Sequence, residues 1–481
     1  MASIAAPPEF QHTYARLLPT LATSWKADES SDPRLIISNN PLAEHLGINP
    51  AWLTSDEALS LFTGNQAANH PERYALAYAG HQFGSYSPRL GDGRALLVGE
   101  FIDPQGQQWD LHLKGSGRTP FARGGDGKAT LGPMLREYLM GEAMAALGIP
   151  TTRALAVVTT GDLAMRERPL PGAILVRVAA SHLRVGTFQY AAALGEIDDL
   201  KTLADYAIER HYPELAEDND RYLKLLNAVI ERQASLVAEW MLVGFIHGVM
   251  NTDNVTISGE TIDYGPCAFM DIVDPQTVFS SIDEGGRYAY GRQPSIAQWN
   301  LARFAETLLP LIATDPEDAI APATEALEEF PNIFSRYWHD GMNQRLGLST
   351  TVDGDDDLAN DLIALLQEQR LDLISTMRSL SDHLRGHDIG LGEWTTRWDT
   401  RLQLEKASCE ELISRLEAAN PIYIPRNHLV EEALSSAVAG DLSKFDALLE
   451  RVTHPYERVD NAEHYAQPGD PGPGYRTYCG T

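Results

Sequence analysis

The first clear pattern in the chain is an alternation of apolar and polar residues that predicts two neighbouring strands. They cover residues 94–102 and 107–113, and a turn containing proline and glycine lies between them. A glycine-rich loop follows, and apolar residues then recur at helical spacing over residues 131–147. Gly148 and Pro150 end this helix, because glycine favours the position after a helix and proline cannot continue one.

Beyond this unit the periodicity changes from strand-like to helix-like. Further strands are predicted at 151–160 and 173–178, helices at 203–210, at 222–245 and through most of 296–455, and one short strand at 255–262. A strand-rich half with one helix, followed by a helix-rich half, predicts an α+β fold. The same order is typical of the two lobes of a protein-kinase-like fold, although many α+β proteins share it.

The pattern divides the 481-residue chain into five predicted regions, which fits one large fold with extensions. They are an N-terminal lead-in rich in helices and loops that packs on the core (1–80), a kinase-like N-lobe (81–195), a kinase-like C-lobe (196–345), a helical extension (346–466) and a flexible tail that carries a cysteine (467–481). The tail is too rich in proline and glycine to favour packing.

Composition narrows the classes of partner. The net charge of −29 disfavours nucleic acid and anionic lipid as ligands, since like charges repel. The first residues carry no cationic segment followed by an apolar run, and the three cysteines are too few for a disulfide framework. We therefore expect a protein of the cytoplasm that binds neither nucleic acid nor membrane. We also expect it to be a monomer.

The charge is distributed unevenly along the chain. Residues 85–184 hold 12 Lys and Arg against 9 Asp and Glu, a net charge of +3, whereas the remaining residues together carry −32. This stretch is also rich in glycine, whose absent side chain lets backbone N–H groups approach an anion. The sequence predicts a site for a small anion here, and a nucleotide polyphosphate is the natural candidate.

One constellation resembles the metal site of protein kinases. His247 precedes Asn254 by seven residues, an apolar helix comes before them, and Asp263 begins an Asp-Tyr-Gly triplet after a short strand-like segment. An amide and a carboxylate supply the hard oxygen ligands that Mg²⁺ prefers, and phosphate and water complete its coordination. Asn254 and Asp263 are therefore predicted to hold Mg²⁺ or Mn²⁺.

The constellation departs from the kinase pattern at one position. A kinase carries its proton-accepting Asp five residues before the Asn, and Val249 stands there. Asp253, beside the predicted metal ligand, can take that role. The alternative is a protein that binds nucleotide without turnover.

Several basic residues and glycines complete the predicted nucleotide site. Lys114 at the end of a strand and Glu137 on the following helix match the ion pair that orders nucleotide phosphates in kinases. The other candidates are Gly91, Gly93 and Arg94 at the start of the first strand, and Arg177 and Arg184, whose guanidinium groups can bind phosphate oxygens. An ordinary hairpin and surface ion pairs are the alternative interpretations of these residues.

The chain resembles the selenoprotein O family of protein adenylyltransferases. The resemblance is carried by blocks in the same order along nearly the whole chain, namely residues 78–99, 113–155, 176–189, 245–270 and 420–429. It implies an atypical kinase fold that binds ATP in inverted orientation, so that the α-phosphate faces the acceptor. Such enzymes transfer AMP to Ser, Thr or Tyr hydroxyls of proteins and release pyrophosphate.

The resemblance also implies a role for each matching residue. Lys114 and Glu137 form the ordering pair, Asn254 and Asp263 hold the metal, and Asp253 is the proton acceptor. The nucleotide is lined by Gly91, Gly93, Arg94, Asp126, Gly127, Arg177 and Arg184, with Asp263 contacting it as well. The alternatives are a phosphotransferase that acts on a small molecule or a protein, and an inactive nucleotide-binding pseudokinase scaffold.

Two cysteines suggest a regulatory contact. Cys267 follows the Asp-Tyr-Gly triplet by two residues, and Cys479 lies third from the end, where animal relatives of the family carry selenocysteine. We hypothesise that the tail folds back and that these two residues form a disulfide. Unreactive thiols are the alternative, because an acidic surface does not lower a thiol pKa.

Overall fold

The computed structural model describes residues 7–65, 71–469 and 475–478. Within these ranges the strands are β1 Ala22–Ser24, β2 Arg34–Ser38, β3 Tyr74–Leu76, β4 Gly80–Gln82, β5 Ser85–Ser87, β6 Ala95–Ile102, β7 Gln108–Lys114, β8 Ala129–Thr130, β9 Arg153–Met165, β10 Pro169–Ala179, β11 Phe245–Ile246 and β12 Ala268–Phe269.

The helices in the same ranges are α1 Thr13–Leu17, α2 Asn40–His45, α3 Pro50–Leu53, α4 Asp56–Phe62, α5 Leu131–Ala146, α6 Val185–Leu194, α7 Ile197–His211, α8 Arg221–Leu242, α9 Gln293–Ile312, α10 Pro316–Glu328, α11 Phe330–Arg345, α12 Asp355–Gln369, α13 Leu373–Leu384, α14 Glu393–Leu402, α15 Cys409–Ala419, α16 Asn427–Val438, α17 Ser443–Val452 and α18 Glu463–Ala466.

One antiparallel sheet organises the N-terminal half. Its strands follow the order β1-β3-β6-β7-β10-β9-β2, and β8 pairs with the early part of β10. The register sets His112 of β7 directly opposite Arg177 of β10, and Lys114 opposite Leu175. Directly paired side chains share one face of a sheet and lie about 5 Å apart, so this register brings the two predicted residues Lys114 and Arg177 onto one face, with His112 beside them.

Both faces of this sheet are buried, which explains why its strands are so apolar. Leu175 and Val157 face helix α5, whereas Val176 and Val158 face the N-terminal helices α2 to α4. The alternation follows from the two-residue repeat of a strand. Helix α5 is fixed against the sheet in this way, and it carries Glu137 toward Lys114.

The C-terminal half is helical and has two apolar cores. Helices α8 and α9 share the core that contains α5, and helices α11 to α15 build a second core around Trp398 and Leu362. In the described part of the chain, no helix is both long enough and apolar enough to cross a membrane.

The structure confirms the predicted strands and helix next to the glycine-rich loop and corrects other predicted elements. β6, β7 and α5 lie within one or two residues of their predicted bounds. The predicted strand at 255–262 is wrong, because this segment makes only single bridges, Arg184 to Thr256 and Thr151 to Thr261. Its chain turns at Gly259, which has a φ of +80°, so that continuous pairing is interrupted.

Further differences concern element ends and the N-terminal region. The helix predicted at 222–245 ends at Leu242, and Phe245–Ile246 forms a strand instead. Residues 1–80 contain helices as expected, but β1, β2 and β3 join the main sheet. In the tail, Thr477 pairs with Ser280 and so packs against the core, whereas 470–474 and 479–481 lie outside the described residues.

Candidate active site

A cavity of about 480 Å³ lies between the sheet and the helical half. The predicted residues on its wall are Gly91, Gly93, Arg94, Lys114, Asp126, Gly127, Arg177, Arg184, Asp253, Asn254 and Asp263. Glu137 lies behind Lys114 and lines a neighbouring cavity of about 470 Å³. The structure thus brings every predicted site residue to one place, although these residues span more than 170 positions of the chain.

Lys114 is held between two carboxylates. Its Nζ lies 2.6 Å from Oε2 of Glu137 on α5 and 2.5 Å from Oδ1 of Asp263. Because β7 ends at Lys114, the side chain leaves the sheet at the rim of the cavity. Two anionic partners fix the direction of the Lys114 ammonium group at the cavity wall, which suits it to bind phosphate.

Asp263 is surrounded by positive charge. Besides Lys114, it contacts Arg177 at 2.8 Å and Arg184 at 3.5 Å. Burial alone would raise the pKa of the Asp263 carboxyl, but these three cations hold it well below its usual range. Three cations face two carboxylates, those of Asp263 and Glu137. The cluster therefore keeps a positive excess in a cavity sized for a nucleotide.

Arg184 is fixed from two sides. Its guanidinium carbon lies 4.5 Å from the centre of the Tyr78 ring, a cation–π contact. Burial opposes its charge, but Tyr78 and Asp263 nearby raise the pKa of Arg184 above its ordinary value. Helix α6 begins at Val185, so Arg184 is the residue that precedes the helix. The hydroxyl of Ser181, three residues earlier, lies 2.7 Å from Nε2 of His211.

Behind Arg177 lies a buried relay that the sequence did not reveal. His112 Nδ1 lies 3.1 Å from a guanidinium nitrogen of Arg177, and His112 Nε2 lies 3.0 Å from Oδ2 of Asp92. Arginine can only donate, so His112 Nδ1 accepts, and its Nε2–H donates to Asp92. Burial lowers the pKa of His112, which favours this neutral imidazole. The relay connects Arg177 to the loop that carries Gly91 and Gly93.

We expect His112→Ala to lower the free energy of unfolding by about 2–5 kcal/mol, because each buried polar partner left unsatisfied costs about 1–3 kcal/mol. Urea denaturation followed by circular dichroism measures this loss. The matched control is His383→Ala, which breaks a 3.0 Å contact with Asp399 in which the two side chains are 22% and 45% exposed. Solvent-accessible pairs contribute about 1 kcal/mol or less to the free energy of unfolding. If His383→Ala loses as much stability as His112→Ala, the assignment of a buried relay at His112 is contradicted.

Glycine is required at two positions of the wall. Gly91 has a φ of +68°, and a Cβ there would lie 2.3 Å from the ring of Phe121. Gly127 has a φ of +69°, and a Cβ would lie 2.2 Å from the carbonyl carbon of Gly117. Any other residue would be strained and would collide with a neighbour. Asp126, next to Gly127, is held by Arg166 at 2.9 Å.

Asp253 is a buried carboxylate with one oxygen that is available to accept a proton. It lies on the short 3₁₀ turn Thr252–Asn254, and its Oδ1 is buried without a hydrogen-bond partner among the described residues. Burial raises the pKa of Asp253 to about 6, against the opposing effect of Arg184. A carboxylate with that pKa at the wall of a cavity can remove a proton from a bound hydroxyl near neutral pH.

The residues predicted to hold a metal suit a divalent cation that is shared with a substrate. Asn254 donates its Nδ2–H to the carbonyl of Val249 at 3.0 Å, which leaves its amide oxygen available as an acceptor. Among the described residues no cluster of three or more His, Cys, Asp and Glu side chains could hold a metal. Mg²⁺ commonly binds through one or two protein oxygens and completes its shell with phosphates and water, so Asn254 and Asp263 fit it.

The regulatory disulfide is not addressed by the described structure. Cys267 is buried beside the Asp-Tyr-Gly triplet, but Cys479 lies outside the described residues. The preceding part of the tail reaches this region, since Thr477 donates its hydroxyl hydrogen to the carbonyl of Pro266 at 2.6 Å. The disulfide stays a hypothesis.

Comparison with known proteins agrees with the geometry. The model of the family described as "Protein adenylyltransferase SelO" matches residues 7–453. A relative from Mycolicibacterium smegmatis, named "Protein nucleotidyltransferase YdiU", is 54% identical in an alignment 479 residues long that covers 97% of each chain. A relative of the same name from Anoxybacillus flavithermus is 53% identical over 475 residues, 98% of this chain and 99% of the relative.

Proposed function

The chain belongs to the SelO family of protein adenylyltransferases, and from this premise we propose that it transfers AMP from ATP to Ser, Thr or Tyr hydroxyls of proteins and releases pyrophosphate. The observation that carries the proposal is the placement of Asp253 on the same cavity wall as the cations around Asp263. One group can accept a proton from a hydroxyl while the others bind the phosphates that leave.

The proposed reaction uses the described residues in two roles. Asp253 accepts the hydroxyl proton as the hydroxyl oxygen forms a bond to the α-phosphorus, and the bond between that phosphorus and the bridging oxygen of the β-phosphate breaks. Lys114, Arg177 and Arg184 stabilise the negative charge that develops on the pyrophosphate. Mg²⁺ or Mn²⁺, held by Asn254 and Asp263, would supply further neutralisation of the phosphates. Gly91, Gly93, Arg94, Asp126 and Gly127 line the bound nucleotide.

We also propose that the architecture is that of a kinase-like fold with two lobes. The antiparallel sheet with the Glu137 helix α5 fits the smaller lobe, and α8 with the segment that carries Asp253 and Asp263 fits the larger one. In this arrangement the domain limits are those expected from the sequence, with a lobe boundary near residue 195. The monomeric, cytoplasmic state stays a prediction.

The position of the label on ATP tests the function. Incubating the protein with ATP labelled on the α-phosphate, and separately on the γ-phosphate, should transfer label to protein acceptors from the α position only. Label from the γ position only would support a phosphotransferase instead. Nucleotide binding without any transfer would support a scaffold without catalytic activity, consistent with Val249 at the position of the kinase base.

The rate of AMP transfer should depend on pH through Asp253. Its carboxyl accepts a proton only when ionised, so kcat/KM should fall about tenfold per pH unit below the pKa of about 6 and level off above it. A divalent cation at Asn254 would lower this pKa, so the inflection with metal lies at or below 6. The pH profile of initial rates of α-label transfer measures it, with thermal denaturation at each pH as the control for unfolding. A rate that rises on acidification would contradict the proton-acceptor role.

A further inference from the structure

A strained hairpin lies beside Asp253. Strands β4 and β5 are joined by Phe83 and Gly84, and both linking residues are left-handed, with φ of +51° and +85°. Two consecutive residues of this kind form the tight turn that suits a hairpin, for which Asn-Gly is the favoured pair. A phenylalanine in this conformation is an outlier, so the surrounding structure must fix it.

Hydrogen bonds from the helical half fix the backbone of Phe83. Its N–H lies 3.0 Å from Oδ1 of Asn251 and 3.2 Å from the hydroxyl of Tyr288. The Tyr288 hydroxyl in turn donates to the same Asn251 oxygen at 2.6 Å. Asn251 lies two residues before Asp253, so the hairpin tip is attached to the turn that carries the proposed proton acceptor.

The rest of the hairpin contacts the same turn. The N–H of His81 donates to the hydroxyl of Thr252 at 2.7 Å, and Gln82 Nε2 lies 3.4 Å from Oδ2 of Asp253. Gly80 packs so closely that a Cβ would lie 2.4 Å from Oδ1 of Asp253. The hairpin and Asp253 therefore form one unit, and the backbone of Phe83 keeps a fixed position relative to the carboxylate.

Two exposed apolar side chains line a cavity whose wall is otherwise rich in charged residues. Phe83 is 36% exposed and Ile282 is 54% exposed, and both line the cavity that contains Asp253. Neither side chain can bind a phosphate. An acceptor hydroxyl, by contrast, must come within hydrogen-bond distance of Asp253, so the segment that carries it must pass close to the hairpin.

We propose that Phe83 and Ile282 bind the acceptor protein and favour a segment with an apolar side chain next to the modified hydroxyl. This inference rests on the proposed function, because it assigns the acceptor to the Asp253 side of the cavity. Continuity with the carboxylate that the hydroxyl must reach supports an acceptor segment as the occupant. Stacking of the adenine ring on Phe83 is the competing outcome that the experiment has to separate.

The test uses a library of synthetic peptides with one central Ser, Thr or Tyr, varied neighbours, and ATP labelled on the α-phosphate. Phe83→Gly removes the ring and suits the left-handed backbone, so it should fold at least as well as the wild type. We expect the wild type to prefer apolar neighbours, and Phe83→Gly and Ile282→Ala each to raise the KM for those peptides about tenfold, the equivalent of about 1.4 kcal/mol. The dissociation constant of ATP should stay within about twofold.

The control is Tyr86→Ala. Tyr86 is an exposed ring on the same hairpin, 45% exposed, but it packs on His81 and is not among the residues of the cavity wall. Loss of the Tyr86 ring should change neither the KM for the peptides nor the dissociation constant of ATP.

The possible failures are distinguishable. A weaker dissociation constant for ATP in Phe83→Gly, with unchanged peptide KM, would assign the ring to the nucleotide and overturn the inference. Transfer of α-label without any preference for neighbours, or with a preference that survives Phe83→Gly and Ile282→Ala, would also overturn it while leaving the proposed function intact. No transfer of α-label to any acceptor by the wild type would overturn the proposed function and this inference with it.

Discussion

Asp253→Asn is expected to reduce AMP transfer by about 10²–10⁴-fold, the range that proton transfer by a positioned side chain contributes. Asparagine has nearly the same shape but cannot accept the hydroxyl proton. The phosphate-binding cations are untouched, so the dissociation constant of ATP should change by no more than about threefold. Initial rates of α-label transfer, combined with equilibrium binding of a fluorescent ATP analogue, measure both quantities.

The burial of Asp253 makes the substitution informative. Its Oδ1 has no hydrogen-bond partner among the described residues, so replacing one oxygen by an amide removes little existing structure. Asp198→Asn, at an exposed position in the first turn of α7, is the control for a general loss of charge. Transfer within tenfold of the wild type would remove Asp253 from the reaction, and a lost affinity for ATP would reassign it to binding.

The local elements of the smaller half could be predicted from sequence because their signals are local. The alternation in β6 and β7 and the Gly148 stop after α5 require no knowledge of distant residues. β1 and β3 have three residues each, and their strand structure depends on pairing with partners elsewhere in the chain, as between Tyr74 and Leu97. Such strands carry too short a pattern to be distinguished from loops.

In the candidate site, too, local sequence signals could be recognised, whereas contacts between distant residues could not. Residue types and spacing identified Asn254 and Asp263, but the contact between Asp263 and Lys114 joins residues 149 positions apart and cannot be derived from spacing. Only the match to the kinase pattern and the family resemblance placed Lys114 and Asp263 in one site. His112 and Phe83 were missed because a histidine in a strand and a phenylalanine before a glycine have many ordinary explanations.

An acidic chain can contain a cavity lined by cations because these cations form ion pairs with buried carboxylates of the same chain. Lys114 and Arg177 each contact both Glu137 and Asp263, so their charge is kept in place before any nucleotide arrives. Preorganised charge of this kind stabilises a transition state without reorganisation during the reaction. The net charge of the whole chain therefore says little about the local potential that a phosphate experiences.

Removal of Asp263 should have the largest effect of any single substitution. Asp263→Ala is expected to lower AMP transfer at least about 10³-fold, since it removes a proposed metal ligand. It also removes one of the two carboxylates that face Lys114, Arg177 and Arg184, so that only Glu137 remains. Breaking a buried ion pair on one side also costs about 3–5 kcal/mol of stability. Label transfer across a titration of Mg²⁺ and of Mn²⁺, together with urea denaturation, measures both losses.

Loss of folding and loss of chemistry can be separated by two further variants. Asp263→Asn keeps the shape, and asparagine tolerates the left-handed φ of +63° found at this position. Asp271→Asn alters a carboxylate of similar exposure that pairs with Arg426 at 2.6 Å, away from the cavity wall. If Asp263→Asn folds as well as Asp271→Asn but requires far more metal or transfers no label, Asp263 acts in the chemistry. Wild-type transfer by Asp263→Asn at ordinary metal concentration would instead show that the negative charge of Asp263 is not required for the reaction, and the metal would have to be assigned to other oxygens of the cavity.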